Sequence, residues 1–173
     1  THRDEFPIFR HSVYLNSCSL GALSRRTRAR VNEYLDLWEN RGAAAWYDVW
    51  WAALDELRSA YGRVVGAPGS EIALHPSISS ALTEEDAKID YGKLHKVVVT
   101  SLDFPTIAYQ WLAKAARGVE VVVLESPDDT RVPLEMYERA VDDHTALVAT
   151  SHVFFTSGAI QDVKAIAEIA HRT

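Results

Sequence analysis

The rhythm of apolar positions changes once along this chain. Up to about residue 66 apolar side chains recur at helical spacing; beyond it, short β-branched runs alternate with amphipathic stretches. Ser24 is placed to cap a first helix in which Val31, Tyr34, Leu35 and Trp38 share a face, ending at Gly42. A second pattern, "AAAWYDVWWAALDELRSAYGRVVG", carries Trp46, Trp50, Leu54, Leu57 and Tyr61 on one stripe and closes at Gly62 or Gly66. Then "EIALH" reads as a short strand, and "SISSAL" as a helix start. "KVVVT", "VEVVVLES" and "TALVATSHV" read as strands, and "TIAYQWLAKAARG", "PLEMYERAVDD" and "IQDVKAIAEIAHRT" as helices. Such alternation predicts an α/β fold with a mostly parallel sheet covered on both faces. One stretch resists: "TEEDAKIDYGK" pairs Glu84 with Lys88 but has only Ala87 and Ile89 to bury, which predicts a solvent-facing or broken helix.

Composition narrows the class. At 173 residues, 47% hydrophobic and 24% charged, the chain suits one compact soluble domain with no internal repeat or linker. A net charge of −6 argues against nucleic acid or an anionic membrane as partner, and no apolar run is long enough for a transmembrane helix or a signal core. The basic cluster "SRRTRAR" is a solvated helix face or an anion site. The lone Cys18 allows no internal disulfide and fits a reducing cytoplasm; with no neighbouring histidine to activate it, it reads as structural rather than nucleophilic. The histidines have no metal-ligand spacing, so no metal is expected. Trp46, Trp50 and Trp51 suit a core, a subunit interface or an active-site wall.

Chemistry in an open parallel sheet sits beyond the carboxyl ends of its strands, here at "HPSISS", "TSLDFPT", "LESPDD" and "TSHVFFTSG". Ile78, Ser79 and Ser80 would bring backbone N–H groups and hydroxyls to a helix N-terminus, as a phosphate requires, or Ser79 is only an N-cap. Neither a phosphate-binding Gly-x-x-x-x-Gly-Lys loop nor a dinucleotide Gly-x-Gly-x-x-Gly is present. Phe104, fixed before Pro105, is a plug over the core or a face for a flat heteroaromatic ligand, with the Thr106 hydroxyl close by. The last turn offers Ser151, His152, Thr156 and Ser157, but no orienting partner for His152 is evident.

Taken in order, "YLNSCSLGAL", "GSEIALHPSISSAL", "DFPTIAY" and "SHVFFTSGAIQDVKAIAEIAHRT" resemble the class V aminotransferase family of fold-type I pyridoxal-phosphate (PLP) enzymes, and within it kynureninase-like and cysteine-desulfurase-like members. The resemblance implies the three-layer large domain of that fold, truncated, with residues 1–45 as an N-terminal segment and helix and 46–173 as a partial PLP-binding domain. It implies that the Ile78 backbone and Ser79 hold the cofactor phosphate. Phe104 then stacks on the pyridine ring with Thr106 beside it, Ser151 lies near the ring oxygen, and Asn16, Ser17 and Cys18 form a substrate-side loop. Departures are Cys18 and Phe154, where relatives carry Asn, and the polar "TEEDAKID". By the same resemblance the Schiff-base lysine, the aspartate for the pyridine nitrogen and a substrate-binding arginine are expected beyond Thr173, and no catalytic residue within the chain; Lys88, Lys93, Lys96, Lys114 and Lys164 fall at other positions. It implies a cytoplasmic homodimer acting on an amino acid through an aldimine, as a transaminase, kynureninase-like lyase or hydrolase, desulfurase or epimerase. The alternatives are a truncated or redesigned non-catalytic domain of the same fold, and a flavodoxin-like ligand-binding domain.

Overall fold

The computed structural model describes residues 2–172, and the chain divides into two units, Thr1–Leu74 and His75–Thr173. The division expected after residue 45 falls inside the first of these. That unit is helical. Ser24 Oγ accepts the Thr27 N–H at 2.9 Å and opens helix α1, Arg25–Arg41, which Gly42 ends at φ +52°. A π-helical turn, Trp46–Trp50, leads into α2, Trp51–Val65. Trp46 meets Trp50 edge-on at 5.0 Å and Trp51 at 5.1 Å, while Tyr34 on α1 meets Trp50 at 5.0 Å, so the rings tie α1 to α2. The expected stripe of the second helix is only partly covered: Trp46, Leu57 and Tyr61 are exposed, as are Trp38 on α1 and Trp51 off the stripe.

Helix α2 closes at Gly66, at φ +77°, rather than at Gly62. Gly62 serves a different need, because a Cβ there would stand 2.4 Å from the Ala67 carbonyl oxygen where the chain folds back. The strand expected at "EIALH" does not form. A 3₁₀ turn, Gly69–Glu71, precedes extended backbone at Ile72, and no strand lies beside it among the described residues. A strand exists only through its neighbour's N–H and C=O groups, so an apolar run without one stays extended coil.

The second unit holds strands β1 (Lys96–Thr100), β2 (Glu120–Leu124) and β3 (Thr145–Val148), all parallel, in the order β2-β1-β3. Every residue of the central β1 is buried, which is why "KVVVT" shows no alternation. Val98 lies opposite Val122 and Val148, and these three pack toward α5 (Leu134–Ala140) and α6 (Val163–Ala170), with Tyr137, Phe154, Ile166 and Ile169. Val97, Val99, Val121, Val123 and Leu147 point the other way, toward α3 (Ile78–Asp86) and α4 (Pro105–Leu112), around Ile107 and Trp111. Sheet and helices thus make three layers, as expected.

Two elements are shorter than their patterns. Strand β3 stops at Val148, and α4 stops at Leu112, followed by a 3₁₀ turn, Ala115–Arg117, that Gly118 ends at φ +89°. The polar "TEEDAKID" has a specific explanation. Helix α3 ends at Asp86, which is buried and takes the Lys114 ammonium on Oδ2 and the Tyr91 hydroxyl on Oδ1 at 2.7 Å. Trp111 Nε1 donates to that same hydroxyl at 2.9 Å, so the helix ends in a satisfied ionic cluster instead of apolar contacts.

Candidate cofactor-binding site

Helix α3 is capped by Ser77: its Oγ accepts the Ser80 N–H at 3.2 Å, and Ser80 Oγ accepts the Ser77 N–H at 3.4 Å. The capping role open to Ser79 is therefore filled by its neighbours. Ser79 sits one residue inside the helix, exposed, its hydroxyl without a partner among the described residues. The N–H groups of Ile78 and Ser79 belong to the first turn, where no intrahelical acceptor exists. Two free N–H groups, a free hydroxyl and the positive end of a helix suit a phosphate dianion.

Phe104 has extended backbone, φ −61° and ψ 136°, and Pro105 begins α4 directly after it. Its ring is 57% exposed, so it is not a plug; Leu102 and Ile107 on either side are the buried residues. Thr106, part-exposed in the first turn of α4, has no hydrogen-bond partner among the described residues. The Lys114–Asp86 ion pair ties the C-terminal ends of the packed helices α3 and α4, and Leu82 of α3 packs against the cluster that holds Ile107 and Trp111. Ser79 and Phe104 stand at the N-terminal ends of these two helices, away from the ion pair.

Ser151 follows β3, half-buried, and its peptide is held from both directions. Its N–H donates to Asp103 Oδ1 at 2.7 Å, and its carbonyl accepts from Gln161 Nε2 at 2.5 Å. Gln161 also donates to Thr150 Oγ1 at 2.8 Å and accepts the Tyr137 hydroxyl at 2.7 Å. Burial pushes the Tyr137 phenol up to about 12. The Phe155 ring, itself exposed, stands edge-on to Phe104 with centroids 5.4 Å apart. The structure thus links the Phe104 turn to the loop after β3 through Asp103 and Phe155, and places Ile78 and Ser79 in the first turn of α3 and Thr106 in the first turn of α4.

Other candidates lie elsewhere or have other work. Asn16, Ser17 and Cys18 form an exposed turn of the first unit, with Cys18 Sγ 3.5 Å from Asn16 Oδ1. His152 is exposed and meets no carboxylate among the described residues, while Ser157 Oγ donates to the Thr130 carbonyl. Phe154, read above as a departure from the family pattern, is fully buried in the core. Lys96 opens β1, at the end of the strand away from the site, and is paired with Asp142. Asp103, Gln161 and Phe155 escaped the sequence reading. The available signals were an acidic residue directly after an apolar strand and the paired phenylalanines of "VFF", of which only one can face inward. Among the described residues no helix is long and apolar enough to cross a membrane.

A free helix N-terminus, an exposed ring and a serine held at both its N–H and its carbonyl are the groups that PLP requires: one anion site, one flat face, one partner for a ring oxygen. A sequence model of the aminotransferase class-V family matches residues 52–173. The chain is 33% identical over 99% of its length to the uncharacterized aminotransferase YcbU of Bacillus subtilis, and 28% identical over 98% to a probable cysteine desulfurase of Methanothermobacter thermautotrophicus. It spans 45% and 43% of those relatives, under half of each. A kynureninase of Shouchella clausii is 26% identical over 98% of the chain, which spans 42% of that relative. Among solved structures, the C-DES protein with glycine covalently linked to its PLP cofactor superposes with a TM-score of 0.83 at 20% identity, covering 99% of this chain and 46% of that one. The apo cysteine desulfurase of Thermococcus onnurineus superposes at 0.79 and 20% identity, covering 98% and 44%. With the three-layer sheet and the ligand-ready strand ends described above, these matches establish that the chain belongs to the class-V aminotransferase family of PLP-dependent enzymes and corresponds to its N-terminal portion.

Proposed function

We propose that the protein to which this chain belongs is a PLP-dependent enzyme acting on an amino-acid substrate. Ile78 and Ser79 hold the cofactor phosphate, Phe104 lies against the pyridine ring, and Thr106 and Ser151 border it. Asn16, Ser17 and Cys18, an exposed turn of the first unit, are assigned to substrate contact on the family resemblance alone. The observation that carries this reading is the division of labour at α3: Ser77 and Ser80 satisfy the cap, so Ser79 and two N–H groups are free for an anion. Bound there, the cofactor supplies an electron sink for bonds at the substrate α-carbon. The named relatives, an uncharacterized aminotransferase, a probable cysteine desulfurase and a kynureninase, support a transaminase, a desulfurase and a kynureninase-like enzyme alike. The exposed Trp38, Trp46, Trp51 and Tyr61 support a subunit contact in a homodimer, and a lone unpaired Cys18 supports a reducing, cytoplasmic setting.

The test is PLP titration of the full-length protein and of Ser79→Ala and Phe104→Ala. Each substitution should weaken PLP by about tenfold or more, through a lost charge-assisted hydrogen bond or a lost ring face. Both should leave the melting temperature nearly unchanged, because both side chains are exposed. Wild-type protein without saturable PLP binding would overturn the reading.

A further inference from the structure

Asp103 is an acidic side chain with only 6% of its surface exposed, at the turn from β1 into α4. Its two oxygens are used separately: Oδ2 accepts the Thr100 hydroxyl at 2.7 Å and Oδ1 accepts the Ser151 N–H at 2.7 Å. The first bond folds the turn that presents Phe104, the adjacent residue. The second reaches across 48 positions of sequence to the loop after β3. Above this link the Phe104 and Phe155 rings touch, so the two loops meet in two places, one polar and buried, one aromatic and exposed. Nothing comparable joins Asp103 to the N-terminus of α3, whose serines satisfy each other.

We propose that Asp103 is a positioning residue for the ring side of the cofactor site: through Thr100 and the Ser151 peptide it sets the spacing between Phe104 and Ser151, without touching the phosphate side. This rests on the PLP reading above. It separates two halves of the site that bind different parts of one ligand, and therefore makes different claims for ligands that carry only one part.

The experiment compares full-length wild type with Asp103→Ala and Asp103→Asn. It reads hydrogen exchange at the Ser151 amide in the cofactor-free protein, and the dissociation constants of pyridoxal 5'-phosphate and of inorganic phosphate. The Ala variant should lose protection at Ser151 and weaken pyridoxal 5'-phosphate by about tenfold or more, while inorganic phosphate binds as in wild type. The Asn variant keeps an acceptor for the Ser151 N–H and an amide for the Thr100 hydroxyl, and should restore both readouts. If Asp103→Ala does not fold, Asp103→Ser carries the same comparison. Equal weakening of both ligands, or unchanged pyridoxal 5'-phosphate affinity with Ser151 deprotected, would overturn the assignment. A wild type that protects Ser151 but binds no pyridoxal 5'-phosphate would overturn the cofactor reading instead.

Discussion

Tyr137 shows how one side chain links the core to the site. Its ring is fully buried on the α5/α6 face, and its hydroxyl donates to Gln161, which in turn holds the Ser151 carbonyl. Burial raises its pKa from 10.0 to about 12, because the phenolate would lose its hydration. The unfolded chain therefore releases this proton first, so the contribution is complete below pH 10 and is lost as pH rises toward about 12. Tyr137→Phe should flatten that alkaline limb in pH-dependent denaturation. It also leaves Gln161 Oε1 without its donor, at a cost of about 1–3 kcal/mol. At this scale the sequence told less than its residues suggested. Ser79 and Phe104 stood out as candidates because small hydroxyls and an X-Pro ring at strand ends have few uses, whereas the capping pair, Ser77 with Ser80, emerged only from the geometry. Asp103 and Gln161 were missed, since their partners Ser151 and Tyr137 lie 48 and 24 positions away.

Among the elements, α3 departs most from its pattern. Its C-terminus looked too polar to bury, and it does bury a charge: Asp86, satisfied by Lys114, Tyr91 and, through Tyr91, Trp111. Periodicity registers apolar faces only, so a buried carboxylate whose cation lies 28 positions away reads as a solvent-facing segment. Removing one partner should be worse than removing both. Asp86→Ala strands the half-buried Lys114 ammonium and the Tyr91 hydroxyl, and should cost about 3 kcal/mol in urea denaturation. The double variant Asp86→Leu with Lys114→Met should lose clearly less than the sum of its single changes, a coupling that a double-mutant cycle measures directly. Strands were read more accurately than their ends: "KVVVT" is β1 to the residue, whereas "EIALH" had strand composition but no neighbour to pair with.

For the molecule as a whole, the order of segments was the legible feature: strands alternating with helices predicted the parallel three-layer unit, and four motifs in family order predicted the family. Their lengths and the boundary at Leu74 depend on contacts that composition does not encode. The aromatic residues carry one more property of the architecture. Four of the five tryptophans, Trp38, Trp46, Trp50 and Trp51, are in the first unit, and Trp111 alone belongs to the second, wholly enclosed behind the sheet. The chain thus contains its own pair of optical reporters. Acrylamide should quench the emission of the first unit readily and leave a blue-shifted, protected component that disappears in Trp111→Phe. Following both components through denaturation would tell whether the two halves melt as one cooperative body or in sequence, with no label attached.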